Sequence, residues 1–125
     1  MPLTNAFRDY IVNGIVNPGA MTPFNSANAH LGVGDGTTAF SASQVDLAGT
    51  NKIRKPMNSG YPQVSAPTIT FAAAFSGSEA NFSWNEWGVF NASSGGVMML
   101  RTVENLGTKS SGAVWELVVS ITFAV

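Results

Sequence analysis

The sequence predicts a mainly β domain, an antiparallel β-sandwich or barrel-like fold with an N-terminal helix and one short second helix. Three observations carry this prediction. Trp115, Leu117, Val119, Ile121, Phe123 and Val125 alternate with Glu116, Val118, Ser120, Thr122 and Ala124, the period-two pattern of a strand with one apolar face. Apolar stretches in the second half recur at roughly twelve- to fifteen-residue intervals and are separated by Gly/Ser turns, as in antiparallel sandwiches and barrels. Finally, Leu3, Phe7, Tyr10, Ile11 and Ile15 share one face of a helix.

That helix should run from Leu3 to Ile15, capped by Thr4 or Asn5 and ended by Gly14 or by Asn17-Pro18-Gly19. Two prolines and a glycine in 17-NPGAMTPFNS-26 then call for an irregular loop. Ala27, Ala29, Leu31 and Val33 alternate with Asn28, His30 and Gly32, a half-buried strand of small side chains. It runs into 32-GVGDGTT-38, which matches neither phosphate loop: no lysine follows Gly36, and the third glycine comes one residue early for a dinucleotide fingerprint. Asp35-Gly36 reads instead as a turn. In 41-SASQVDL-47, Ser43 and Asp46 resemble a capping box and Gly49 a stop, predicting the short second helix.

The segment 51-NKIRKP-56 is the one basic cluster. It reads either as a solvated edge strand, blunted by lysine, or as a contact for an acidic partner surface. Pro56, Gly60, Pro62 and Pro67 make residues 50–67 a long excursion. In 68-TITFAAAF-75, Ile69, Phe71, Ala73 and Phe75 face one way. The run 81-NFSWNEWGVFN-91, the 92-ASSGG-96 turn and 97-VMMLRTVE-104 complete the β half.

Composition narrows the chemistry. A chain of 125 residues is read as one domain, 1–125, large enough for a real core. With no cysteine and only His30, disulfides and thiolate metal sites are excluded, and a histidine metal site or Ser-His triad has no basis. No apolar run approaches the roughly 20 residues that span a bilayer, and MPLTNAFRDYIVNG lacks the basic start of a signal peptide. Charged residues make up 10% of the chain, against about 25% in ordinary soluble domains. Such a surface is poorly defended against association. It fits a small neutral globule or a subunit covered by partners, and it offers no broad basic face for nucleic acid.

Two tryptophans flank Glu86 in 84-WNEWG-88. Strand alternation places Phe82, Trp84 and Glu86 on one face and Trp87 and Val89 on the other, so the tryptophans form one platform only if a bulge intervenes. No second acid is placed opposite Glu86, as a glycosidase would require. The expectation is therefore no enzyme, no cofactor and no metal. A buried Glu86 needs a partner, and Arg101 on the next strand is the candidate for a structural ion pair.

The segments 29-AHLGVGDGTTAFSASQVDLAG-49, 61-YPQ-63, 80-ANFSWNEWGVFNASSGGVMMLR-101 and 106-LGTKSSGAVWELVVSITF-123 resemble a group of small virion structural proteins of tailed bacteriophages. The resemblance implies no catalytic residues. It implies a capsid decoration (cement) protein on the outer face of the head. Its partners would be the major capsid protein and further copies of itself, as a trimer or dimer, with neither nucleic acid nor membrane. It would be made in the host cytoplasm and located on the virion. The alternative within the resemblance is a tail or tail-fibre subunit that binds a receptor glycan or joins head to tail. Contacts are expected from Phe7 and Ile11 on the helix, Phe24 in the following loop, Lys52, Arg54 and Lys55, and Trp87.

Overall fold

The structure is a computed structural model in which residues 2–124 are described. Helix α1 (Asn5–Val16) is followed by a single 3-10 turn at Pro18–Ala20, inside the loop expected to be irregular. Seven strands follow: β1 (His30–Gly34), β2 (Lys52–Pro56), β3 (Gln63–Ser65), β4 (Thr68–Phe75), β5 (Ser83–Phe90), β6 (Met98–Thr108) and β7 (Trp115–Thr122). They form two sheets, β2-β1-β5-β6 and β3-β4-β7, with every neighbouring pair antiparallel. This is a mainly β, sandwich-type fold with an N-terminal helix.

The core lies between the sheets. Leu31, Val33, Val89 and Leu100 come from the four-stranded sheet, and Phe71, Ala73, Phe75, Leu117, Val119 and Ile121 from the three-stranded one. In β7 the odd-numbered residues Leu117, Val119 and Ile121 are buried and the even-numbered ones exposed, following the alternation of its sequence. On the opposite face of the four-stranded sheet, Leu47, Phe90 and Met98 form a second, small cluster. Leu47 belongs to the loop between β1 and β2, so that loop covers the outer face.

Thr4 anchors the helix. Its hydroxyl accepts from the Phe7 N–H at 3.1 Å and donates to the Met98 carbonyl. Leu3 bridges to Leu100, which explains why the helix starts at Asn5 rather than Leu3: the preceding residues are already paired to β6. Phe7 stacks on Tyr10, and both meet Phe24 edge-on. Phe7, Tyr10 and Ile11 thus hold α1 against the core, while Ile15 of the expected stripe is exposed.

Two expected elements differ. No helix forms over Ser41–Leu47, which is a turn. Asp46, the acidic member of the expected capping box with Ser43, instead accepts from the Leu47 N–H and from Lys52 and Arg54. The next two amides, Ala48 and Gly49, donate to Glu86 rather than to carbonyls four residues back. Strand β1 begins at His30, not Ala27, because the Asn25 carboxamide takes the Ala27 and Asn28 N–H groups into a side-chain turn.

Candidate functional site

Two regions concentrate the chain's polar and aromatic chemistry. The first is built on Glu86, fully buried in the middle of β5. Its Oε1 accepts from Arg101 Nε at 2.7 Å and the Ala48 N–H at 2.8 Å, and its Oε2 from the N–H groups of Gly36 at 2.9 Å and Gly49 at 2.7 Å. Arg101, also fully buried, reaches Gln44 Oε1 at 3.2 Å through Nη1, while its Nη2 makes no hydrogen bond among the described residues. A carboxylate has about four lone-pair sites, and Glu86 uses each of them. The group is a clasp that fastens the loop between β1 and β2 onto the sheet.

The glycines of 32-GVGDG-36 acquire their reason here. A Cβ at Gly34 or Gly36 would fall on the Glu86 carboxylate, and one at Gly49 would lie 2.7 Å from Glu86 Oε2. The glycine run lets backbone approach a buried anion closely, and that anion is the chain's own side chain.

The three basic residues of β2 are engaged within the chain. Lys52 binds Asp46 and the Leu47 carbonyl, each at 3.1 Å. Arg54 lies 3.7 Å above the Phe90 ring, donates to the carbonyls of Ala92 and Gly95, and pairs with Asp46. Lys55 holds Glu79 at 2.7 and 2.8 Å. Only Lys52, with a side chain 40% exposed, keeps appreciable freedom among the three. A contact to an acidic partner through Arg54 and Lys55 would first have to break these bonds.

These pairs make stability depend on acid. The hydrogen bond from Lys55, with those from Ser76, lowers the Glu79 carboxyl from its ordinary 4.5 to about 2. For Asp46, burial pushes the carboxyl up, but hydrogen bonds from Lys52, Leu47 and Arg54 outweigh it and leave the group below its ordinary value. Depressed folded-state values mean that the unfolded chain binds protons first. The stabilisation is complete above about pH 4.5 and is lost as pH falls from there towards 2. Urea midpoints across this range should fall steeply, and the Glu79→Gln variant should fall less. An equal slope in the variant would remove Glu79 as a source.

The second region lies where the edge strands β6 and β7 of the two sheets face each other. Two adjoining grooves of about 260 and 450 Å³ share Leu106, Leu117 and Val118 in their walls, and all three tryptophans line one or the other. Trp84 is buried, edge-to-face with Phe75 at 5.0 Å and Trp115 at 5.1 Å, and its Nε1 donates to the Ala80 carbonyl. Trp87 is half-buried against the same core and donates to Glu104. Strict alternation would separate these two rings. The β5–β6 register shifts between Trp84 and Glu86, so both tryptophans join the core while Glu86 faces the loop between β1 and β2.

The remaining expected contacts divide by exposure. Phe7 is core and Ile11 and Phe24 are packed against it, so the helix face turned to solvent is formed instead by Val12, Ile15 and Val16. His30 Nδ1 meets the Asn28 carbonyl at 2.8 Å. Among the described residues, no three acidic or histidine side chains gather as a metal site would require, and no helix is long and apolar enough to cross a membrane. Sequence reasoning missed Lys109. It is buried, with Nζ on the Ser76 carbonyl at 2.6 Å and Asn81 Oδ1 at 2.8 Å, yet 108-TKSSG-112 carries every mark of an exposed turn. No protein-family model matches the chain, and no curated protein matches it.

Proposed function

We propose that the chain is a structural subunit of a bacteriophage virion, a decoration protein that binds the outer face of the major capsid lattice and stabilises the head. The observation that supports an assembly role is the state of its charges. Four of the six basic side chains are tied into ion pairs within the chain. Large apolar residues meanwhile stand exposed on α1 and around β7. A neutral, partly apolar exterior associates by shape and burial rather than by electrostatic steering. The sequence resemblance supplies the virion setting. A ligand that binds only the assembled shell stabilises it by mass action, which requires no catalytic group.

The helix face Val12, Ile15 and Val16 is the proposed capsid contact. Val12→Asp with Ile15→Asp should lower occupancy on expanded empty heads about tenfold, equivalent to about 1.4 kcal/mol. The isolated domain should keep its stability within about 0.5 kcal/mol, as surface substitutions do. Undiminished occupancy, measured by quantitative electrophoresis of purified heads, would exclude this face. A virion reconstruction that places the protein on the tail would overturn the head assignment altogether.

A second reading is a tail or tail-fibre subunit that binds sugars. It draws on the groove where Trp115 and Trp87 lie near Glu116 and Glu104. It predicts quenching of tryptophan fluorescence by host-surface glycans, which a decoration protein would not show.

A further inference from the structure

We propose that β7 pairs edge to edge with β7 of a second copy of the chain, joining two three-stranded sheets into one across a two-fold axis. The two sheets leave four edges, at β2, β6, β3 and β7. An open edge invites unwanted pairing, and proteins blunt it with charge, proline, bulges or shortness. Strand β2 carries Lys52, Arg54 and Lys55 and ends at Pro56. Strand β6 is irregular, with four residues advancing from Val103 to Gly107 while β5 advances two, and it bears Glu104. Strand β3 is three residues long and lies between Pro62 and Pro67. Strand β7 has none of these devices. Its eight residues pair with β4 without a register break, and its one charge, Glu116, is held by Asn58 at 2.7 Å.

The phase of the ladder shows which groups are free. The Phe123 N–H donates to the Pro67 carbonyl at 3.0 Å. Alternate residues of an antiparallel strand bond to the same neighbour, so odd-numbered residues serve β4. Glu116, Val118, Ser120 and Thr122 therefore turn their backbone N–H and C=O groups to the open edge. The close hydroxyl pairs Thr68–Thr122 at 2.7 Å and Thr70–Ser120 at 3.0 Å agree with this phase, because side chains approach most closely at non-hydrogen-bonded positions. Beside that edge runs the groove lined by Trp87 and Leu106, with Val114 68% and Val118 53% exposed at its rim.

The occupant that fits is the same strand reversed. With the axis at Val119, Leu117 faces Ile121 and Trp115 faces Phe123 on the groove side, while Val118 faces Ser120 and Glu116 faces Thr122 on the outer side. The pairs Glu116–Thr122 and Val118–Ser120 join the residues whose backbone groups are free, apolar meets apolar on the inner side, and no acid meets an acid. The two Glu116 side chains lie six residues apart, ~20 Å at ~3.4 Å per residue, beyond the roughly 8 Å reach of charge at physiological salt. A two-fold interface must be self-complementary in this way. A basic partner strand would find only one acid, already bound to Asn58.

Sedimentation equilibrium on the intact chain tests this directly. The wild type should be a dimer. Val118→Lys with Ser120→Lys sets lysine opposite lysine across the axis and should give a monomer with unchanged circular dichroism. Val118→Lys with Ser120→Glu sets lysine opposite glutamate and should keep the dimer. A wild type that stays monomeric would overturn the proposal, as would a dimer surviving the double lysine or equal loss of the dimer in both variants. The measurement needs no capsid, so its outcome is separate from that of head binding.

Discussion

Glu86→Ala should be the most damaging single polar substitution in the chain. It leaves Arg101 buried without its counter-charge, and breaking a buried ion pair from one side costs about 3–5 kcal/mol. It also strips a partner from the N–H groups of Gly36, Ala48 and Gly49, each of which costs about 1–3 kcal/mol if left buried and unsatisfied. The loop between β1 and β2 will relax to recover some of this by admitting water, so the sum is not additive. Against a total stability of about 5–15 kcal/mol, the variant should sit near its unfolding threshold. Arg101→Met should cost less, because Glu86 would retain its hydrogen bonds from the Gly36, Ala48 and Gly49 amides. Glu86→Met combined with Arg101→Met should not recover the loss, since the orphaned amides remain. Gly36→Ala should act in the same direction by pushing a methyl group into the carboxylate. Urea unfolding orders these variants, and amide exchange at residues 36, 48 and 49 locates the damage. If Arg101→Met proves as costly as Glu86→Ala, the ion pair and not the amide cradle holds the loop.

The clasp also shows where reading a sequence stops. That Glu86 and Arg101 could meet was legible, because they lie on neighbouring strands joined by a short glycine turn and a buried acid requires a partner. That the same carboxylate organises a loop 37–50 residues earlier was not, since nothing local marks Gly36 or Gly49 as donors to it. The helix expected at 41–47 failed for this reason: its capping-box acid and terminal amides are claimed by β2 and β5, a tertiary override of a weak local signal. Strand β7 was legible because a period of two over many residues has few other meanings. The shift of register beside Trp84 was invisible, as it depends on how β6 is paired. Lys109 left no trace at all, because a buried lysine satisfied by a carbonyl and a carboxamide needs neither an acid nor an apolar neighbour in sequence.

The other large effect should come from Trp84→Ala, and it separates the two tryptophans that alternation would have placed on opposite faces. Trp84 is the largest fully buried side chain, and removing so large a ring from a core typically costs about 3–5 kcal/mol. Part of that is its edge-to-face packing on Phe75 and Trp115, worth about 0.5–1.5 kcal/mol per pair beyond area. Its Nε1–H bond to Ala80 holds a residue with positive φ, 55°, at the entry to β5, so the turn before the strand should loosen as well. Trp87 rests on the edge of the same core and bonds an exposed acid; its replacement by Ala should cost about 1–2 kcal/mol, within the ordinary range for single substitutions. Thermal unfolding gives the order, and amide exchange in residues 76–83 reports the turn. Equal losses at the two positions would mean that Trp87 is buried as deeply as Trp84 in solution. Such burial could arise if the β7 edge is paired, since a second strand there would cover the groove that Trp87 lines. The comparison should therefore be made below and above the concentration at which the chain associates: pairing at β7 predicts that the cost of Trp87→Ala rises with concentration while that of Trp84→Ala does not.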